Sequence, residues 1–228
     1  TYQITPSSNS CTGLMKNVTV SVNPIPTVDA GADYQVCEPV SIPVTGSIGG
    51  AATTGTWLIV SGAGSISAST VSGTQVTATY TVAPTDVAST ILLRLETNDP
   101  DLIGPCSLVS DVVQIQINRR PTVTLPADFE VCEPNNLLTT PISLSGVIGG
   151  SATTALWSVV SGSGILSAST LTGSNVTSLY TIAPSDIGNT ITLRLTTNDS
   201  DGISGPCVAE FKQINIRINR AAVISAGS

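Results

Sequence analysis

GGAATTGTWLIVSGAGSISASTVSGTQVTATYTVAPTDVASTILLRLETNDPD, residues 49–101, recurs at an offset of 100 as GGSATTALWSVVSGSGILSASTLTGSNVTSLYTIAPSDIGNTITLRLTTNDSD, residues 149–201. Laid together without a gap, the stretches agree at 31 of 53 positions. Shared composition does not produce that, so the chain is a tandem repeat. Trp57 falls on Trp157, Tyr80 on Tyr180, Ala83-Pro84 on Ala183-Pro184, and Thr97-Asn98-Asp99 on Thr197-Asn198-Asp199. In this register Ile91, Leu93 and Leu95 keep their apolar character as Ile191, Leu193 and Leu195. Between them Leu92 and Glu96 become Thr192 and Thr196. Period-two runs whose inward positions hold while outward positions drift are strands with one dry face and one wet face.

Outward from that stretch, alternation predicts strands near residues 26–30, 34–37, 40–46, 55–60, 75–82, 90–97 and 110–118, with a weak extra one around 64–68. Gly49-Gly50, Ser61-Gly62-Ala63-Gly64, Ser72-Gly73 and Pro84-Thr85-Asp86 supply the turns between them. About seven short strands per hundred residues predict an all-β chain of two-sheet β-sandwich domains arranged end to end. Three equal intervals, Cys11 to Asn23, Cys106 to Asn118 and Cys207 to Asn219, each close on an alternating run: 18–22, 113–117 and 214–218. They divide the chain into residues 1–23, the last strands of a preceding repeat; 24–119 and 120–220, two complete repeats; and 221–228, the start of another. The alternative for residues 1–23 is an ordinary N-terminal hairpin. The joints Asn23-Pro24-Ile25-Pro26 and Asn118-Arg119-Arg120-Pro121 are short and stiffened by proline. The chain begins at Thr1 without an initiator Met or a signal peptide, as expected of an excised segment.

The composition removes whole classes of function. Residues are 41% hydrophobic, 10% charged and 4% aromatic, which suits strands. No apolar run approaches the roughly 20 residues of a spanning helix, so the chain is expected to be soluble and not inserted in a membrane. A net charge of −7 with eight Lys and Arg leaves no basic surface for nucleic acid. Histidine is absent, which removes Ser-His and Cys-His nucleophile pairs and His-containing metal sites. The expectation is a protein that is not an enzyme. Glycosidase chemistry needs one carboxylate pair, whereas the acidic clusters here are duplicated with their scaffold. Lys is confined to Lys16 and Lys212, so a Lys–Asn self-crosslink cannot recur in each copy.

Each complete repeat carries two cysteines. Equivalent placement predicts one disulfide within each copy, Cys37 with Cys106 and Cys132 with Cys207, pinning an early strand to a late loop near one end of the sandwich. Cys11 would then pair with a cysteine upstream of the fragment. This pattern implies an oxidising, extracellular setting; the alternative is reduced thiols in a cytosolic protein. Asp99 with Asp101, and Asp199 with Asp201, place two carboxylates two residues apart in a loop, a spacing able to contribute to calcium. Asp29 and Asp33 could add ligands. The competing reading is that these residues cap turns, as Asp86 and Asp186 are expected to do. Trp57 and Trp157 are expected in the core, the alternative being an exposed sugar-stacking platform.

Pro26-Thr27-Val28-Asp29-Ala30-Gly31-Ala32-Asp33, Val36-Cys37-Glu38, Gly49-Gly50, Gly55-Thr56-Trp57, Ala78-Thr79-Tyr80-Thr81 and Leu95-Glu96-Thr97-Asn98-Asp99 resemble the PKD-like and immunoglobulin-like repeats of giant surface adhesins in gliding bacteria. The resemblance covers nearly the whole chain. It implies structural stalk repeats of a filamentous adhesin, exported by a type IX system and held at the outer membrane for gliding motility and surface attachment. It further implies adjacent repeats of the same chain as partners, with extracellular polysaccharide as a second candidate, and no catalytic residues. The alternative is a repeat module that itself binds glycan or a partner. The second copy departs from the pattern, with Thr124-Leu125-Pro126-Ala127-Asp128 where the first has Asp29-Ala30-Gly31-Ala32-Asp33.

Overall fold

A computed structural model describes residues 1–134 and 140–222; residues 223–228, most of the segment expected to open a further repeat, lie outside it. Four short strands come first: β1 (Tyr2–Ile4), β2 (Ser7–Ser8), β3 (Cys11–Thr12) and β4 (Lys16–Val18). The first copy then supplies β5 (Thr27–Asp29), β6 (Tyr34–Cys37), β7 (Ser41–Gly49), β8 (Gly55–Ser61), β9 (Ser65–Ile66), β10 (Thr70–Ser72), β11 (Gln75–Thr81), β12 (Ser89–Thr97) and β13 (Ser110–Asn118). The second copy repeats them as β14 (Thr122–Thr124), β15 (Phe129–Cys132), β16 (Ile142–Gly149), β17 (Ala155–Ser161), β18 (Ile165–Leu166), β19 (Thr170–Thr172), β20 (Asn175–Thr181), β21 (Thr190–Thr197) and β22 (Phe211–Asn219). A 3-10 turn, Pro84–Asp86 and Pro184–Asp186, precedes β12 and β21.

The sheets are those of an immunoglobulin-like sandwich, and the chain is all-β. In the second copy one sheet runs β14-β16-β20-β18, with β19 also on β20, and the other β15-β22-β21-β17. The first copy has the same two orders, β10-β11-β7-β5 with β9 on β11, and β6-β13-β12-β8. In each copy the first short strand joins one sheet and the next crosses to the other, where β6 lies parallel to β13 and β15 parallel to β22. The remaining pairings are antiparallel, the arrangement of a Greek-key sandwich.

Period-two alternation drives this. Along β16 the side chains of Ile142, Leu144 and Ile148 are buried, and along β21 those of Ile191, Leu193 and Leu195, while the intervening polar residues are not. Together with Val176, Tyr180, Trp157, Ile214, Ile216 and Ile218 they form one apolar cluster. Each such side chain contributes about 1.5–3 kcal/mol on burial, set against the entropy of ordering the chain.

By compactness the chain divides into two units that do not follow the sequence register. One comprises Thr1–Asp33, Ser41–Val82 and Leu92–Gln114; the other comprises Tyr34–Val40, Ala83–Ile91 and residues from Ile115 onward. The second unit therefore holds the second copy together with β6, the 3-10 turn and first residues of β12, and the last residues of β13. Within the first unit, residues 1–25 are exposed throughout. The alternating run expected as a strand over 18–22 stops at Val18, because no apolar layer covers it: Val20 and Val22 are 57% and 87% exposed, and a two-stranded ribbon is barely stable alone.

Candidate functional site

The cysteines do not pair as expected. The structure contains neither Cys37–Cys106 nor Cys132–Cys207; Cys37 is bonded to Cys207, 170 residues away, with a Cα–Cα distance of 5.0 Å. Cys11, Cys106 and Cys132 are free. Strand direction explains why. β15 runs parallel to β22, so Cys132 stands opposite Asn219, the last residue of β22, while Cys207 precedes Phe211, its first. Eight steps of a strand put the two ends roughly 27 Å apart, far beyond the ~7 Å that a disulfide spans between Cα atoms. The first copy has the same order: Cys37 stands opposite Asn118, and Cys106 precedes Ser110. The two cysteines of one copy thus mark opposite ends of its final strand.

The bond sits in a polar joint inside the second unit. Glu38, which follows Cys37, donates its N–H to Asn118 O (2.9 Å), and its Oε2 accepts from Arg120 N (2.8 Å). Asn118 Nδ2 donates to Gln35 Oε1 (3.0 Å) and to Asp201 Oδ2 (2.8 Å). Asp201 Oδ2 also accepts from Cys207 N (3.1 Å). Burial pushes the Asp201 carboxyl up, but hydrogen bonds led by those from Asn118 and Cys207 outweigh it, and its pKa lies below the ordinary value. Cys207 Sγ lies 3.5 Å from Arg119 O, a contact only, since a disulfide sulfur carries no hydrogen. Beside the joint, Gln35, Asn118, Arg119, Ser151, Asn198 and Asp201 line an open groove of about 590 Å³.

The duplicated Gly-Gly pair belongs to the same place. Gly150 has φ +66°, and a Cβ on it would collide with Arg120 O; the next residue, Ser151, donates its N–H to that oxygen (3.3 Å). Only glycine allows the linker carbonyl to approach so closely. Gly50, at φ +64°, stands in the same relation to Ile25 O.

The four carboxylates considered for calcium are engaged with backbone N–H groups. Asp99 Oδ1 accepts from Asp101 N (3.2 Å) and Leu102 N (3.0 Å), and Asp199 Oδ1 accepts from Gly202 N (3.1 Å). Asp101 Oδ2 accepts from Cys106 N (3.2 Å), as Asp201 Oδ2 does from Cys207 N. The Oδ1 atoms of Asp101 and Asp201 are buried without a hydrogen-bond partner, yet among the described residues no group of three or more acidic, Cys or His side chains converges on a point. Asp29 Oδ1 accepts from Gly31 N (2.8 Å), and Asp33 Oδ1 accepts from Gln114 N (2.8 Å). Asp128, the counterpart of Asp33, holds Asn215 through both N and Nδ2. Those bonds keep its carboxyl below the usual range.

Trp57 and Trp157 are core residues, 2% and 7% exposed, each donating Nε1–H to a strand carbonyl, Val76 O or Val176 O (both 3.1 Å). Asp86 and Asp186 do more than occupy a turn, for both are 3% exposed. Asp186 accepts from Tyr180 OH (2.8 Å), Ala183 N (3.0 Å) and Ser163 N (2.8 Å). Burial first, then the bond to Asp186, pushes the Tyr180 phenol up to about 12. The spacing of six from Tyr to Asp, present in both copies, is the signal that could have found this lock. Asn118 and Arg120 lie in a joint expected from the sequence, whereas nothing in the sequence points to Glu38, which bonds both.

No protein-family model matches the chain, and no curated protein does. Solved structures similar to it include the I67–I69 fragment of the titin I-band, at 14% identity and TM-score 0.48, covering 88% of this chain and 67% of that one. Sidekick-1 immunoglobulin domains 1–4 align at 8% identity and TM-score 0.46, covering 88% of this chain and 50% of that one. Mouse cadherin-23 EC22–24 aligns at 16% identity and TM-score 0.40, covering 86% and 67%.

Proposed function

We propose that the chain forms structural stalk repeats of a long filamentous cell-surface adhesin, with residues 24–119 and 120–220 as successive repeats. The narrower setting is an extracellular filament associated with the outer membrane, serving surface attachment and gliding motility. The observation that carries this reading is the bond between Cys37 and Cys207, which fastens the second strand of one copy to the loop before the last strand of the next across 170 residues. A bridge of that span removes about 5 kcal/mol of loop-closure freedom from the unfolded chain. Under tension it also withholds everything between its cysteines from extension. Disulfide chemistry supports an oxidising compartment, and no helix among the described residues is long and apolar enough to cross a membrane.

The test is to pull single molecules from their ends with and without reductant. Reduction is expected to release about 580 Å of additional contour length, 170 residues at the extended spacing. Equal contour lengths in the two conditions would remove the mechanical role. A second reading, a repeat that binds glycan, draws support from the polar groove beside the joint. On a glycan array the stalk reading expects no specific signal, and a signal abolished by Asn118→Ala would favour binding.

A further inference from the structure

The described cysteines outside residues 1–23 are of two kinds. Cys37 and Cys132 are outgoing. Each ends a strand opposite the terminal Asn of its copy, Asn118 or Asn219. Each is followed by a Glu whose N–H donates to that Asn's carbonyl, at 2.9 Å for Glu38 and 2.7 Å for Glu133. The same Glu accepts, through Oε2, from the backbone N–H two residues beyond the Asn, that of Arg120 (2.8 Å) or Ala221 (3.1 Å). Cys106 and Cys207 are incoming. Each donates its N–H to Oδ2 of an Asp in the preceding turn, Asp101 (3.2 Å) or Asp201 (3.1 Å). This holds although the second loop is one residue longer between Asp and Cys. In the bond the structure contains, an outgoing cysteine meets an incoming one. Cys132 and Cys106 are free, each held in the frame of its bonded equivalent.

We propose that Cys132 and Cys106 are the two unmated halves of this same joint. Cys132 takes the incoming cysteine of a following repeat of this type, and Cys106 takes the outgoing cysteine of a preceding one. The partner at both ends is therefore another immunoglobulin-like repeat carrying an Asp-anchored or Glu-flanked cysteine, and every joint of an array is closed covalently. This rests on the serial-repeat reading above. What distinguishes the two from ordinary free thiols is that the equivalent residues, Cys37 and Cys207, are already joined in this molecule.

Closing a joint is a two-electron oxidation. With glutathione disulfide as oxidant, the thiolate of exposed Cys132 attacks one glutathione sulfur and expels a glutathione thiolate, giving a mixed disulfide. The thiolate of the incoming cysteine then attacks the Cys132 sulfur and expels the second glutathione. One disulfide forms, one is reduced to two thiols, and the two protons lost from the cysteines are taken up by the glutathione thiolates. Cys106 is half-buried beside Asp101 and Asp99, and burial and those charges raise its pKa. It is the slower of the two to be trapped by oxidant.

The test lengthens the chain by repeating residues 120–220 in tandem and oxidises it with glutathione disulfide. The added segment brings a second Cys132 and a second Cys207 to the five cysteines already present. Peptide mapping is expected to find Cys37 joined to the first Cys207 and the first Cys132 joined to the second Cys207. Three cysteines should remain outside protein disulfides, as thiols or glutathione adducts and as many as in the parent chain, and Cys132→Ser in the first copy should raise the count to four. Five cysteines outside protein disulfides in a lengthened chain that still forms Cys37–Cys207, or a Cys132–Cys207 bond inside one copy, would overturn the proposal. Correct joints in a chain that released no length on reduction would count against the mechanical reading alone.

Discussion

The loops that carry Cys106 and Cys207 are two editions of one structure with different fates. Both follow an Asn whose Oδ1 accepts two N–H bonds, Asn98 from Thr53 and Thr54 and Asn198 from Thr153 and Thr154, all at 2.9 Å. Both use an Asp to hold the cysteine N–H. Only Cys207 is bonded, and the difference lies outside the loop: Cys37, Asn118 and the Arg119-Arg120 linker stand against it. The disulfide is thus a property of a joint rather than of a domain. A repeat isolated from its neighbours would show two thiols that look idle.

Serine substitution breaks this comparison most sharply. Cys207→Ser should cost about 5 kcal/mol in denaturant unfolding, the loop-closure value for a bridge of this span. Cys106→Ser, in the free edition of the loop, should cost less than about 0.5 kcal/mol; equal losses would deny the joint any energetic weight. A smaller contrast separates two glycines of similar backbone. Gly150→Ala should cost roughly 2–4 kcal/mol, because a methyl group meets Arg120 O as well as a left-handed φ. Gly173→Ala, at φ +61° with nothing within 4 Å, should cost only about 1 kcal/mol. Similar values for both would place the linker carbonyl elsewhere.

The smallest effect concerns the lock at Tyr180. Its folded pKa, about 12, lies above the ordinary 10.0, so the folded state holds the phenolic proton longer than the unfolded one. That contribution is complete below pH 10 and is lost as pH rises through about 12. The melting temperature should fall across this window, and Tyr180→Phe should flatten that fall while lowering stability by about 1–3 kcal/mol at neutral pH, since Asp186 loses a buried partner. An unchanged slope in the variant would assign the titration to another group.

Most of the sandwich was legible because alternation and burial are local. Ile91, Leu93 and Leu95 announce their inward face in sequence and are at most 1% exposed in the fold. β10 and β19 are not legible in this way, because three residues with every side chain exposed carry no alternation signal. Asp86 and Asp186 have the sequence setting of turn residues, and apart from the repeated Tyr-to-Asp spacing only the packing shows that they are buried.

The sequence alone determined that this protein is a repeating all-β chain and which residues face inward, since both are written as periodicity. It could not determine which cysteines bond. In a tandem repeat the spacing from Cys37 to Cys106 and that from Cys37 to Cys207 differ by one repeat, so a pairing within a copy and a pairing across a joint have the same signature. The tertiary structure decided it through the parallel laying of β6 on β13 and β15 on β22, which carries each outgoing cysteine to the far end of its sandwich, a strand's length from the cysteine it was expected to meet.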